Sequence, residues 1–122
     1  MIKRLDHLDV ATSDLADAAS IYERNFGFKV NRSADSETAS VTVGGAEIRL
    51  ASGALAKAAL ESQGEGMTGL WLEAEDIEQV VAAFKKAGLA VGKITKEQGR
   101  RVFAVDPKIA NQVPLFIFDR KS

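Results

Sequence analysis

Hydrophobic and polar positions along this chain change their period twice, in the same order each time. Around Leu8 and Val10 they alternate, as a strand with one buried face requires. Leu15, Ala18, Tyr22 and Phe26 then recur at three- and four-residue steps, as a helix requires. Ser13 or Asp14 can cap the free N–H groups at the start of that helix, and Gly27 suits the left-handed residue that ends it. Three strand-like runs follow: Phe28–Arg32, Thr38–Val43 and Glu47–Ala51. Gly44-Gly45 between the last two is a hairpin signal.

The series then starts again. Leu70 and Leu72 alternate with Trp71 and Glu73, and Ile77, Val80, Val81 and Phe84 carry the helical period. Glu75 or Asp76 supplies the cap and Gly88 the stop. Strand-like runs are expected at Leu89–Ile94, Arg101–Val105 and Pro114–Asp119. Pro114 has no N–H for a ladder and belongs at a strand's first residue or on an edge. The two halves align: Leu8 with Leu70, Val10 with Leu72, Asp14 with Asp76, Leu15 with Ile77 and Tyr22 with Phe84. After one extra residue near Phe26, Gly27-Phe28-Lys29-Val30 falls on Gly88-Leu89-Ala90-Val91.

The expected fold is therefore α+β, a single domain over 1–122 built of two tandem βαβββ modules. They form a cup-shaped mixed sheet with the helices outside. The first module spans 1–52 and the second 67–122. The connector, 53–66, holds a short helix at Ala54–Ser62 and a hinge at Gly64-Glu65-Gly66.

Composition narrows the chemistry. The 122 residues carry 16 Lys+Arg against 17 Asp+Glu, so no basic surplus awaits a nucleic acid. There is no cysteine and one histidine, His7, which excludes disulfides, zinc fingers, iron–sulfur clusters and a cysteine nucleophile. No run approaches the ~20 apolar residues of a membrane span, and Met1-Ile2-Lys3-Arg4 enters the first strand without an apolar leader. A cytoplasmic protein is the expectation, with no membrane and no nucleic-acid partner.

Strand parity assigns side chains to faces. With Leu8 and Val10 against the helix, His7 and Asp9 face the cup; likewise Trp71 and Glu73 face it opposite Leu70 and Leu72. Glu47 and Arg49 alternate with Ile48 and Leu50, and Phe116 and Phe118 alternate with Leu115 and Ile117. The candidate site thus joins one histidine, charges of both signs and three aromatic rings.

The chain resembles the vicinal oxygen chelate superfamily of glyoxalase I, bleomycin-resistance proteins and extradiol dioxygenases. The resemblance rests on His7 with Asp14-Leu15, Ala18-Ala19, Ile21-Tyr22 and Phe26-Gly27-Phe28. The remainder is most similar to methylmalonyl-CoA epimerases, through Gly44-Gly45-Ala46-Glu47-Ile48-Arg49-Leu50, Gly64-Glu65-Gly66-Met67, Asp76-Ile77-Glu78-Gln79 and Asp106-Pro107-Lys108.

Metal-using relatives imply four ligands in the cup, and here only the first position, His7, keeps a ligand. Gly69 stands at its counterpart, Phe116 at the last-strand position and Arg49 at a glyoxalase-type Glu position. The epimerase-type ligand would fall within Ala34-Asp35-Ser36-Glu37-Thr38. The resemblance with these departures implies a small-molecule binder without a catalytic metal or other cofactor. Trp71, Phe116 and Phe118 would stack on the ligand, and His7, Arg49 and Glu47 would hold it.

The alternative is an isomerase or lyase of glyoxalase or epimerase type. It would use a divalent metal, or else Glu73 or Asp9 as general base with Arg49 stabilising an enolate. Arg100-Arg101 either holds a phosphate of a CoA-like ligand or is simply a charged strand end. The family implies a homodimer, with the cup completed within one chain or across two.

Overall fold

The capping alternatives resolve in the same way in both halves. In a computed structural model describing residues 2–35, 37–89, 91–110 and 113–121, helix α1 (Leu15–Phe26) is capped by Asp14, whose Oδ1 accepts from the Asp17 N–H at 3.0 Å. Helix α3 (Ile77–Lys86) is capped by Asp76, which accepts from the Glu78 N–H at 3.0 Å. Gly27 ends α1 at φ 69°, a conformation that costs a side chain dearly and glycine nothing.

Around these helices run β1 (Ile2–Ala11), β2 (Val30–Arg32), β3 (Thr38–Val43), β4 (Ala46–Ala51), β5 (Gly66–Ala74), β6 (Thr95–Glu97), β7 (Arg100–Ala104) and β8 (Leu115–Asp119). A 3₁₀ turn at Gly53–Leu55 and the short α2 (Lys57–Ser62) fill the connector. Pro114 sits just before the first residue of β8, where its missing N–H interrupts no ladder. The strand–helix–strand–strand–strand order occurs twice, so the chain is α+β with eight strands among the described residues. No described helix is long and apolar enough to cross a membrane.

Two compact units divide the chain: an N-terminal unit, His7–Thr68, and a C-terminal unit, Gly69–Ser122 together with Met1–Asp6. In the N-terminal unit the strands run β2-β3-β4-β1, with His7–Ala11 parallel to β4 and the other neighbours antiparallel. Leu15 and Ala19 of α1 pack on Val30, Ala39, Val41 and Leu50, with Val10 and Ile48 beside them. In the C-terminal unit β5-β8-β7-β6 repeats the order, with β5 parallel to β8. There Ile77 and Val80 of α3 pack on Phe103, Val105 and Ile117, with Leu72 and Leu115 beside them. The apolar parity of each strand set is thus spent on the helix side.

One strand is displaced from its expected place. Leu89–Ile94 is not a strand: Val91 and Ile94 instead pack against the core under α3, and the pairing strand is Thr95–Glu97. (Ala90 lies outside the described residues.) Gln98 and Gly99, at φ 50° and 75°, make the two-residue turn that sets this register, pairing Glu97 with Arg100 and Thr95 with Val102. Two positive φ values are the mark of a type I′ turn, which Gln fills poorly and Asn well. Gln98→Asn is therefore expected to stabilise the protein by about 0.5 kcal/mol, read as a small rise in thermal midpoint. An unchanged or lower midpoint would contradict this account of the turn.

A buried ion pair ties α3 to the sheet. Asp119, at 0% exposure, accepts from the Ile77 N–H at 2.7 Å and from Arg101 Nε and Nη2 at 3.0 and 2.5 Å. Arg101 also reaches Asp76 at 3.3 Å. That guanidinium is committed to the helix side of the sheet, so Arg101 is not a phosphate clamp, whereas its neighbour Arg100 points to the opposite face, over aromatic rings.

Candidate functional site

Each unit presents a second sheet face, opposite its helix, and the eight candidate residues lie on these two faces. In the N-terminal unit the parallel register sets His7 against Glu47 and Asp9 against Arg49. His7 is 2% exposed. Its Nε2 lies 3.4 Å from Arg49 Nη1 and 3.6 Å from Asp9 Oδ1, while Arg49 Nε donates to Glu47 Oε1 at 3.0 Å. The four residues therefore form one connected polar group. Ser40 and Thr42 face Arg49 and Glu47 from β3, and Asn31 faces Ser40 from β2. They extend the polar surface into a cleft of about 560 Å³ lined by Asp9, Asn31, Thr38, Ser40, Glu47 and Arg49, among others.

In the C-terminal unit the register sets Trp71 against Phe116 and Glu73 against Phe118. Trp71 and Phe116 stack at 4.6 Å with their planes 12° apart, and Phe118 meets Trp71 edge-on at 6.0 Å. Arg100 lies over both Trp71 and Phe118, with Cζ 5.4 and 5.2 Å from the ring centroids. Arg120 covers Phe118 at 5.4 Å.

Glu73 is only 4% exposed, and it is held from two sides. Arg4 Nε donates to Oε1 at 2.9 Å, and Arg120 Nε donates to Oε2 at 3.3 Å. Arg4 also pairs with the buried Asp6 at 2.7 Å. Both carboxylate oxygens of Glu73 are thus engaged by guanidinium groups.

Sequence reasoning did not single out Arg4, Asp6 or Arg120, nor did it place Arg100 on the rings. Parity carried one step beyond Phe118 would have found Arg120, which follows Phe116 and Phe118 on the same face. Nothing in the sequence pairs Arg4 with a residue 69 positions away.

These donors do not suit a resident metal ion. The Arg49 guanidinium stands 3.4 Å from the Nε2 that His7 would turn to a metal. It also sets a fixed positive charge where the metal's own charge would be. Among the described residues no three His, Asp or Glu side chains gather as a metal ion would require.

The Glyoxalase/Bleomycin resistance protein/Dioxygenase superfamily profile matches residues 4–106. The chain belongs to that superfamily. A comparison by sequence with curated proteins finds no match.

Among solved structures, a hypothetical protein from Bacillus halodurans superposes with a TM-score of 0.74 at 19% identity, covering 98% of this chain and 95% of its own. The methylmalonyl-CoA epimerase of Mycobacterium tuberculosis gives 0.70 at 20% identity, over 99% and 90%. A Streptomyces coelicolor methylmalonyl-CoA epimerase in complex with 2-nitronate-propionyl-CoA gives 0.71 at 18% identity, over 100% and 97%. At these identities the superfamily likeness establishes the fold, and activity has to be argued from the site.

Proposed function

We propose that this superfamily member binds a small organic ligand without a catalytic metal, and that Arg49 anchors an anionic group of that ligand. The observation that carries the reading is the approach of Arg49 to His7, which sets a guanidinium 3.4 Å from the imidazole nitrogen a metal ion would need. Three further features support it. The cleft beside Arg49, at about 560 Å³, is of the size that small-molecule sites have. Its walls combine Arg32 and Arg49 with hydroxyls, an amide, two carboxylates and the apolar Leu50 and Leu55, which suits a small ligand with both polar and apolar parts. A fork of N–H donors meets a carboxylate bidentately, and Arg49 is exposed enough to do so. The structural neighbours include epimerases bound to acyl-CoA ligands, and an acyl carboxylate is the kind of group Arg49 would take.

Calorimetric titration with succinate and with Ni²⁺, Zn²⁺ and Co²⁺ tests the proposal. Succinate is expected to bind and the metals are not. Arg49→Ala should weaken succinate binding about tenfold, a loss of about 1.4 kcal/mol. Stoichiometric uptake of a metal by the wild-type chain would overturn the metal-free reading and favour a metal-dependent isomerase or lyase. Unaltered succinate affinity in the variant would remove Arg49 from its role.

A further inference from the structure

The polar groups that line the Arg49 cleft divide into those with a partner in the protein and those without. Arg32 is held by Glu23 of α1 at 3.1 Å. Thr38 Oγ1 donates to Ser33 Oγ at 2.7 Å, and the Ser33 hydroxyl donates to Asp35. Arg49 turns its Nε to Glu47 and its Nη1 to His7. Asn31 and Ser40 differ from the rest. Neither side chain has a hydrogen-bond partner among the described residues, and Arg49 Nη2 has none either.

These unengaged groups lie in one row. The register sets Asn31 against Ser40 across β2 and β3, and Ser40 against Arg49 across β3 and β4. All three therefore stand on the face opposite α1, on successive strands. Strands in a sheet lie about 4.8 Å apart, so the row measures about 10 Å from Arg49 to Asn31.

The half-buried Ser40 hydroxyl and the Asn31 amide each donate and accept, as a ligand hydroxyl also does. An alkyl chain laid over them would displace their water and return no hydrogen bond, at a cost in affinity. A hydroxylated chain restores those bonds. The C–H groups between its hydroxyls suit the exposed Leu55 in the same lining.

We infer that this cleft takes a polyhydroxylated carboxylate, of the sugar-acid class, with its carboxylate on Arg49 and its hydroxyls over Ser40 and Asn31. The inference rests on the ligand-binding reading above and names its substrate class. It assigns Ser40 and Asn31 as specificity-determining residues, selecting hydroxylated chains over alkyl ones.

Calorimetric titration of the full chain with gluconate and with hexanoate tests this, since the two share a carboxylate and six carbons and differ in hydroxylation. Gluconate is expected to bind about tenfold more tightly. Ser40→Ala and Asn31→Ala should each weaken gluconate binding about threefold and leave hexanoate unchanged. Asn31 is exposed, so its variant keeps the fold whatever the effect at Ser40.

Equal affinity for the two acids, or a preference for hexanoate, would overturn the selection for hydroxyls. A gluconate preference that survives both substitutions would remove Ser40 and Asn31 from the role. If succinate binds the wild-type chain and gluconate does not, the sugar-acid inference falls and the Arg49 reading stands. If none of the three acids binds, both fall.

Discussion

Asp119→Ala is expected to lower the stability of the protein by about 3 kcal/mol and its thermal midpoint by about 10 °C. Removing this carboxylate does more than cancel an attraction. It leaves the Arg101 guanidinium, mostly buried, without its two short partners, and the Ile77 N–H at the start of α3 without an acceptor. The longer contacts that remain to Asp76 and Glu78 offset only part of the cost of keeping that charge out of water.

The same group makes stability depend on pH. Burial alone would raise the Asp119 carboxyl. The hydrogen bonds from Arg101, then those from the Ile77 and Lys121 N–H groups, reverse that and hold it below the ordinary carboxylate range. A carboxyl depressed in the folded state binds protons more readily once unfolded. Its contribution is therefore complete above the unfolded value of about 3.9 and drains away as pH falls below it. Asp76 adds in the same sense, lowered first by the hydrogen bond from Lys121 and then by the Glu78 N–H. Urea melts between pH 3 and 7 should show wild-type stability falling at the acid end, with a shallower fall in Asp119→Ala. Parallel profiles would show that Asp119 keeps an ordinary affinity for protons in the fold.

Phe103→Ala is expected to cost about 3–5 kcal/mol. Phe103 is 1% exposed and packs among Ile77, Val80 and Ile117, with Phe84 of α3 edge-on at 5.8 Å. The hole left by the ring lies between helix and sheet, whose backbones are fixed by the Asp119 cluster, so it cannot close readily. Phe103→Leu keeps most of the volume and should cost no more than about 1.5 kcal/mol. Denaturant titration distinguishes the two: both variants should shift the midpoint, by very different amounts, with the slope unchanged. Equal costs would mean that the site relaxes around a lost ring.

Much of this architecture is legible in the chain because it is written locally. Asp14 and Asp76, three residues or fewer from the N–H groups they cap, need no tertiary information to be found. The alternation of Leu70, Trp71, Leu72 and Glu73 sends each side chain to its face whatever lies beyond. The Leu89–Ile94 run shows where such reading fails. Val91 and Ile94 look like strand residues because they are apolar, yet their burial under α3 needs no ladder. The pairing segment Thr95–Glu97 is exposed along its length and carries no apolar signal at all. Its position was set by the Gln98-Gly99 turn, and Gln is an uncommon residue for that conformation.

Candidate residues divide along the same line. Parity alone located His7, Asp9, Glu47 and Arg49 on one face, and Trp71, Glu73, Phe116 and Phe118 on the corresponding face of the other unit. What each one touches was decided elsewhere. Arg49 meets His7 across 42 residues of chain, and Arg4 meets Glu73 across 69. Those meetings depend on strand register, and on which of several charged rotamers has the best partner. Arg100 and Arg101 are identical in sequence terms, yet one lies over aromatic rings and the other is locked to a buried carboxylate. By itself the sequence determined the period, the caps and the two faces, because these follow from neighbours a few residues apart. Only the tertiary structure decided which charges meet, because Coulomb and hydrogen-bond partners are chosen by distance in space.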